Sequence, residues 1–264
     1  MSKLIVSQLK ARFDLVIFDW AGTMVDFGCM APVKALVEAF AQEGVAISAA
    51  AARRDMGKTK LDHVRGLLSW PDVDSAWRAR YGRAPDERDI ESLMERLGPL
   101  MRDNAELAAT LIPGARETFE WVKAAGLRVG SSTGYTREMM KPVLARAAEQ
   151  GYVPDHVVCS GETPTGRPSP LMIYKACADL GVWPLGRVLK VDDAEAGIAE
   201  GKAAGAFTVG VASGNTLALS PEAFQALSSA ERVERVRAAR EALQAAGADM
   251  VLDSVADLVR ALEG

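Results

Sequence analysis

The chain has 264 residues, of which 49% are hydrophobic and 25% are charged. This length suits one large domain or a core with a modest insertion, and this composition can bury a substantial core. The net charge of -4 provides no basic footprint, so we expect no nucleic-acid partner. An anionic substrate would have to be held by local positive charge.

The cysteines and the N-terminal segment predict a cytoplasmic protein. Cys29, Cys159 and Cys177 form no CxxC pair and leave an odd count, which suits a reducing compartment better than a disulfide framework. The N-terminal segment lacks the apolar run of a signal peptide. No stretch approaches the roughly 18 to 20 apolar residues that span a bilayer, so we expect no membrane partner.

The first predicted element is a buried strand at residues 14–18, which ends at Asp19. The stretch that follows, from about Asp26 to Leu111, has almost no strand signal and contains helical patterns at 32–43, 48–54 and 59–68. Ligands of open α/β sheets bind outside the carboxyl ends of the strands, so a helical insertion at this edge would cover the site as a cap. The predicted division is a core of residues 1–25 and 106–264 and a helical cap domain of residues 26–105.

Beyond the insertion, short β-rich runs alternate with helical patterns, which is typical of a parallel sheet covered on both faces. The predicted elements are a helix at 115–125, a strand at 127–131, a helix at 136–150, a strand at 155–159, a helix at 170–180, a strand at 188–191, a helix ending near 205, a strand at 207–211, a charged covering helix at 221–246 and a strand at 250–252. Pro142 lies inside one of these helices and favours a kink or a break. The predicted fold class is α/β, a doubly wound, Rossmann-like parallel sheet with an inserted helical cap.

Residues suited to phosphoryl chemistry stand near the carboxyl ends of successive predicted strands. Asp19 could attack phosphorus or ligate a hard cation, and the hydroxyls and N–H groups of 131–134 could hold phosphoryl oxygens. The Arg167 guanidinium could neutralise such a group, and the adjacent Asp192 and Asp193 suggest magnesium. Each feature alone has an ordinary alternative, either a helix cap or a solvated loop residue. Their succession favours one site.

The motifs FDWAGT, SSTG, GRP and KVDD resemble those of the haloacid dehalogenase superfamily, over the whole chain. The resemblance implies that Asp19 is phosphorylated and that water then hydrolyses the aspartyl phosphate, with Mg²⁺ bridging enzyme and phosphoryl group. Most phosphatases of the superfamily carry a second aspartate two residues after the nucleophile, but here Ala21 cannot protonate a leaving group. Many members carry another aspartate where Gly197 stands, and Asp192 or Glu195 could replace it.

The insertion contains an amine that could make a leaving group acceptable without that acid. In the segment MGKTKLDH, Gly57 is expected to break the chain and Lys60 to lie in the first turn of the next helix. The helix dipole and burial both favour a neutral amine, which can form an imine with an aldehyde. His63 lies three residues on, on the same helical face, where it could shuttle protons. The ordinary alternative is a pair of surface residues.

FDWAGTMVDFG, MGKTKLDH, SSTGYTREMM and GRPSP together resemble the phosphonoacetaldehyde hydrolase (phosphonatase) family. The resemblance implies cleavage of phosphonoacetaldehyde to acetaldehyde and phosphate in 2-aminoethylphosphonate degradation, with Asp19 as nucleophile and a Schiff base on Lys60. It also implies a homodimer formed through the cap. The further implied residues are His63 in catalysis; Cys29, Met56, Gly57, Thr133, Tyr135 and Arg167 at the substrate; and Asp19, the Ala21 carbonyl and Asp193 at Mg²⁺.

Two other functions stay open. A general phosphomonoesterase or phosphotransferase of the same superfamily would turn over simple phosphate esters without an imine, and Ala21 argues against it. A non-catalytic phosphometabolite-binding protein would bind ligand without releasing phosphate. The presence of both Asp19 and Lys60 argues against that alternative.

Overall fold

The computed structural model describes residues 12–263, and its centre is a six-stranded parallel sheet with the strand order β3-β2-β1-β4-β5-β6. The strands are β1 (Leu15–Phe18), β2 (Arg128–Thr136), β3 (His156–Ser160), β4 (Val188–Asp192), β5 (Phe207–Val211) and β6 (Met250–Leu252). Because β1 pairs in parallel with both β2 and β4, the strand order reverses beside it. Asp19, which follows β1, therefore lies at the switch point where ligands of such sheets bind.

Helices cover both faces of the sheet, as predicted. They are α1 (Met30–Gln42), α2 (Ala49–Ala52), α3 (Lys60–Ser69), α4 (Pro71–Tyr81), α5 (Glu87–Ala108), α6 (Ala115–Ala124), α7 (Arg137–Glu149), α8 (Leu171–Leu180), α9 (Glu195–Ala204), α10 (Pro221–Ala226), α11 (Ser229–Ala245) and α12 (Leu258–Glu263). Val16 and Phe18 pack into one apolar cluster, and Leu15 and Ile17 into another. Successive side chains of a strand point to opposite faces, so both faces of β1 are buried.

Two predicted elements and one expected kink differ from the structure in ways that matter for the site or the fold. β2 continues to Thr136 rather than ending at 131, so Thr133 and Tyr135 lie on the strand. Pro142 does not interrupt α7, because buried side chains around it, including Val143, hold the helix against the core. The predicted helix at 221–246 is divided into α10 and α11. The break occurs where Ser228 and Glu231 form a capping box that begins a new helix.

Helices α1 to α5 lie between β1 and α6, and we refer to residues 30–108 as the lid. Two linkers that run side by side join the lid to the sheet. Val25 forms an antiparallel bridge with Leu111, and the Ile112 N–H donates to the Met24 carbonyl at 2.9 Å. The predicted boundary at residue 105 falls inside α5, which packs against both α1 and α7. Among residues 12–263, no helix combines the length and the apolar character needed to cross a bilayer.

Candidate active site

A narrow cavity lies between the carboxyl end of the sheet and the lid. It is lined by Asp19, Ala21, Cys29, Pro32, Met56, Gly57, Lys60, Thr133, Gly134, Tyr135, Arg167, Asp193 and Ala194. The structure thus places along the cavity every site residue that the family resemblance implies, except His63. The cavity has a volume of about 20 Å³, which is room for little more than one water molecule. A molecule of several heavy atoms therefore does not fit in the cavity in this arrangement of lid and sheet.

Three buried carboxylates meet beside this cavity. Asp19, Asp192 and Asp193 each offer an oxygen, and these atoms lie within 4.8 Å of one another. Burial, reinforced by the charge of Asp192, raises the pKa of Asp19 to about 6. Burial and the charge of Asp19 raise the pKa of Asp193 well above its usual value. Such crowded, desolvated oxygens fit a divalent cation, whose charge would stabilise the ionised forms. The cluster could bind a metal ion.

Asp193 is held by donors from two other segments. Thr23 Oγ1 donates to Oδ1 at 3.2 Å, and the Asn215 N–H donates to Oδ2 at 2.6 Å. The chain also passes very close to this carboxylate at two glycines. A Cβ on Gly22 or on Gly214 would lie 2.1 Å from Asp193 Oδ2, so a side chain at either position would displace the carboxylate. The orientation of Asp193 is therefore tightly fixed.

Asp192 occupies the space beside Gly197, the position at which the sequence lacks an expected aspartate. A Cβ on Gly197 would lie 2.0 Å from Asp192 Cγ, so the two side chains could not coexist in this arrangement. Glu195, the other sequence candidate, is exposed on the first turn of α9. The geometry therefore favours Asp192 as the replacement acid.

Arg167 lies behind Asp19 at the centre of a buried polar network. Its Nη1 is 2.9 Å from Asp19 Oδ1, and its Nε is 2.9 Å from Glu200 Oε2. Its Nη2 donates to the Ser132 carbonyl at 2.6 Å. Because its side chain is only 1% exposed, these partners fix the guanidinium in one position. Arg167 is therefore oriented toward the Asp19 carboxylate.

Lys190 and Glu200, to which the sequence motifs assign no role, complete this network. Lys190 Nζ lies 2.8 Å from Asp192 Oδ2 and donates to Ser132 Oγ at 2.9 Å. Burial opposes the charge of Asp192, but Lys190 and Arg167 hold its pKa below the usual value. Lys190 belongs to the KVDD motif and could have been suspected. Glu200 is an ordinary helix former on α9, so nothing in the sequence distinguishes it.

Lys60 reaches the cavity from the lid, in the way the sequence predicts. Gly57 adopts φ +90°, a conformation that L side chains rarely adopt, and Thr59 caps α3 by accepting the Asp62 N–H at 3.1 Å. Lys60 is the first residue of α3 and is only 3% exposed. Burial lowers the pKa of Lys60 to about 8, although the negative charge of Asp19 opposes the shift. About one in ten of these amines is therefore neutral at pH 7, far more than for an ordinary lysine.

Apolar and neutral groups surround the amine. Lys60 Nζ lies 5.5 Å from the centroid of the Tyr135 ring, a cation–π distance. Cys29 lies at the N-cap position just before α1, and burial raises the pKa values of Cys29 and Tyr135 well above their usual range, so both are neutral. Met56 is buried against the same cavity. These groups keep Lys60 poorly solvated, which is the cause of its lowered pKa.

His63 is buried behind Lys60 and does not line the cavity. Its Nε2 lies 3.1 Å from the Ala52 carbonyl, so the Nε2–H donates and Nδ1 carries the lone pair. Burial and the positive charge of Lys60 lower the pKa of His63 to about 3, which keeps the ring neutral. In this arrangement His63 ties α3 to α2, and its participation in proton transfer stays a prediction.

The loop before α3 rests on glycines of the sheet domain. A Cβ on Gly134 would lie 2.7 Å from the Lys58 carbonyl oxygen, and one on Gly166 would lie 2.1 Å from Thr59 Cγ2. A Cβ on Gly57 would in turn lie 3.2 Å from Ala194 Cβ. The absence of side chains lets the two backbones approach closely. This contact places Lys60 opposite Asp19.

Comparison with known proteins identifies the family. Residues 13–205 match the haloacid dehalogenase-like hydrolase family. The chain is 46% identical over 245 residues to a phosphonoacetaldehyde hydrolase of Paraburkholderia phytofirmans, with 92% of each chain covered. It is 39% identical over 253 residues to one of Bacillus thuringiensis, with 96% of each covered. The chain belongs to the phosphonoacetaldehyde hydrolase family. Members of this family are hydrolases, and so is this protein.

A solved structure supports the same family and fold. The crystal structure of a phosphonoacetaldehyde hydrolase-like protein from Oleispira antarctica superposes with a TM-score of 0.93 at 40% identity, covering 96% of this chain and 94% of that chain. The predicted doubly wound α/β fold and the resemblance in sequence motifs are both confirmed.

Proposed function

We propose that this protein hydrolyses the carbon–phosphorus bond of phosphonoacetaldehyde to acetaldehyde and phosphate, in the cytoplasmic degradation of 2-aminoethylphosphonate. The observation that carries the proposal is a buried, partly neutral amine, Lys60, in the same narrow cavity as the Asp19 carboxylate. The names of the relatives support the choice of a small phosphonate aldehyde as substrate.

The role of Lys60 is to make carbon an acceptable leaving group. An unactivated carbon leaving group is a very strong base, and Ala21 cannot protonate it. The neutral amine condenses with the aldehyde, releasing water, and the resulting imine takes up a proton. The positive nitrogen can then accept the electron pair of the breaking carbon–phosphorus bond. Activation by an imine therefore replaces the general acid that a phosphate ester would need.

The reaction then proceeds by displacement at phosphorus. A carboxylate oxygen of Asp19 forms a bond to phosphorus while the carbon–phosphorus bond breaks, and its electron pair moves toward nitrogen to give an enamine on Lys60. Protonation of the enamine carbon regenerates the iminium ion, and water hydrolyses it to acetaldehyde and the free amine. A second water hydrolyses the aspartyl phosphate, which returns Asp19 and phosphate. Arg167 and Thr133 hold the phosphonate oxygens throughout.

The carboxylate cluster supports Mg²⁺ as the cofactor. Asp19, the Ala21 carbonyl and Asp193 would hold the ion, with Asp192 close enough to support it. When bound, the cation neutralises phosphonate charge and so lets an anionic carboxylate approach an anionic phosphorus group. It also favours the ionised form of Asp19, whose pKa is otherwise raised to about 6.

The remaining predicted residues form the wall around the reacting carbon. Cys29, Met56 and Tyr135 exclude water from the imine, Gly57 lets the loop approach the sheet, and His63 assists proton transfer from its position behind Lys60. The family resemblance supports a homodimer formed through the lid, on which Leu107 is 84% exposed and Trp70 is 41% exposed.

Reductive trapping tests the imine directly. Treatment with borohydride and phosphonoacetaldehyde should attach a two-carbon group to Lys60, located by peptide mass spectrometry. The group carries the phosphonate if the imine is reduced before the carbon–phosphorus bond breaks, and is an ethyl group if it is reduced afterwards. Lys60→Arg should abolish the adduct and reduce phosphate release by at least about 10³-fold, since arginine cannot form an imine under these conditions. Lys58→Arg is the matched control, because Lys58 is partly exposed and pairs with Asp55 outside the cavity.

Two results would contradict the proposal. One is undiminished phosphate release by Lys60→Arg, and the other is an adduct located on a different lysine. Simple phosphate esters should be assayed in parallel, because rapid turnover of these without any trapped adduct would identify a phosphomonoesterase instead.

A further inference from the structure

Arg53 links the lid to the sheet domain. It follows α2, and its Nη1 donates to the Gly28 carbonyl at 2.9 Å and to Asn215 Oδ1 at 3.2 Å. Gly28 belongs to the linker that precedes the lid, and Asn215 belongs to the loop after β5. A hydrogen bond between two side chains therefore spans the boundary across which the lid must separate from the sheet.

The loop that receives Arg53 is also the loop that holds Asp193. Asn215 accepts from Arg53 with its side chain and donates its backbone N–H to Asp193 Oδ2 at 2.6 Å. The preceding residue, Gly214, lies so close to Asp193 that a Cβ there would be 2.1 Å from Oδ2. The Ser213 carbonyl accepts from the Gly28 N–H at 3.0 Å. The segment 213–215 thus contacts the Asp193 carboxylate, the linker and the lid.

We propose that Arg53 and Asn215 are positioning residues that couple closure of the lid to the orientation of Asp193. The cavity of about 20 Å³ cannot admit a substrate, so the lid must open in each cycle, and opening separates Arg53 from Asn215. The loop then loses an anchor, and the backbone donor to Asp193 is less firmly held. Closure restores this anchor at the same time as it brings Lys60 to the cavity.

The coupling rests on the proposed function. It would complete the metal site only when the lid has brought the Lys60 amine to the cavity. Coupling of this kind is reciprocal. Mg²⁺ binding should favour the closed lid, and loss of the Arg53–Asn215 contact should weaken Mg²⁺ binding even though neither side chain reaches the ion. A residue that merely helps the lid to fold would not change the affinity for the metal.

The test is calorimetric titration of the full-length protein with Mg²⁺ alone, without substrate. Arg53→Met keeps the length of the side chain but removes its donors, and Asn215→Ala removes only the acceptor. Each should raise the Mg²⁺ dissociation constant about tenfold, the scale typical of residues that orient metal ligands. The double variant should have a Mg²⁺ dissociation constant no higher than that of the single variant with the higher value, because both substitutions remove the same contact.

Arg54→Met is the matched control. Arg54 pairs with Asp72 at 2.7 Å within the lid, so this variant should bind Mg²⁺ within about twofold of the wild type. If Arg53→Met does not fold, as judged by its thermal transition, the Mg²⁺ affinity of Asn215→Ala alone tests the coupling. An unchanged dissociation constant in Asn215→Ala, or additive effects of the two changes, would overturn the coupling.

The titration separates this inference from the proposed function. If the wild type fails to release phosphate from phosphonoacetaldehyde while the variants still weaken Mg²⁺ binding, the proposed substrate is wrong and the coupling stands. If the wild type cleaves the substrate and Mg²⁺ binding does not respond to either variant, the coupling is wrong and the proposed function stands.

Discussion

At the scale of single residues, the pKa of Lys60 decides how much of the amine can react. With a pKa of about 8, about one amine in ten is neutral at pH 7, against about one in three thousand for a lysine at 10.5. The rate of borohydride trapping should therefore rise with pH and level off above a midpoint near 8. Asp19→Asn should move this midpoint to lower pH, because the charge of Asp19 raises the pKa of Lys60. A midpoint near 10.5, or an upward shift in Asp19→Asn, would contradict this account.

Sequence patterns could identify the residues whose type and position are unusual. Asp19 directly follows a strand, and Lys60 begins a helix three residues after Gly57, so the local structure of both was predictable. Their chemical roles stay predictions. The role of Glu200 was not predictable, because its contacts with Arg167 and Ser132 join segments that are distant in sequence. Asn215 acts through its backbone N–H on Asp193, and a backbone donor leaves no signal in side-chain identity.

At the scale of elements, the contact between β2 and the loop before α3 fixes the distance from amine to carboxylate. Gly134→Ala should push this loop away, because the new Cβ would lie 2.7 Å from the Lys58 carbonyl oxygen. We expect kcat/KM to fall about 10- to 100-fold, since a displacement of about 1 Å near reacting groups has that effect. Gly186→Ala is the control, because a Cβ there meets nothing within 4 Å. Equal activity of the two variants would show that the loop adjusts freely.

Pairing between β2 and β3 shows why element boundaries were harder to predict than element types. The SSTG motif indicated a loop that precedes a helix, but β2 continues through Tyr135 because pairing with β3 extends to Thr136 after a register shift. Pairing with a neighbouring strand overrides local turn chemistry. Three helices of the lid were predicted, at 32–43, 48–54 and 59–68, whereas α4 and α5 were covered only by the general expectation of a helical insertion. Their placement over Asp19 followed from the position of the insertion after β1.

At the scale of the whole molecule, the carboxylate cluster opposes stability while it prepares the site for a cation. Burial, together with the charges of Asp19 and Asp192, makes the ionised form of Asp193 unfavourable. The buried Arg167 and Lys190 pair with Asp19 and Asp192. The folded protein without metal should therefore be less stable than its hydrophobic core would permit. A cation that binds only the folded state should recover this stability.

Thermal unfolding with and without Mg²⁺ tests whether the carboxylate cluster lowers stability and whether the cation restores it. The unfolding temperature of the wild type should rise by about 5–10 °C when the free Mg²⁺ concentration is about 100 times the dissociation constant. Asp193→Asn should unfold at the same or a higher temperature than the metal-free wild type, because the amide removes a repelled charge. Its oxygen can still accept from the Asn215 N–H, and its NH₂ can donate to Thr23 Oγ1. The same variant should lose most of the Mg²⁺-dependent gain. A large loss of stability in metal-free Asp193→Asn would mean that the hydrogen bonds of the ionised carboxylate outweigh the repulsion within the cluster.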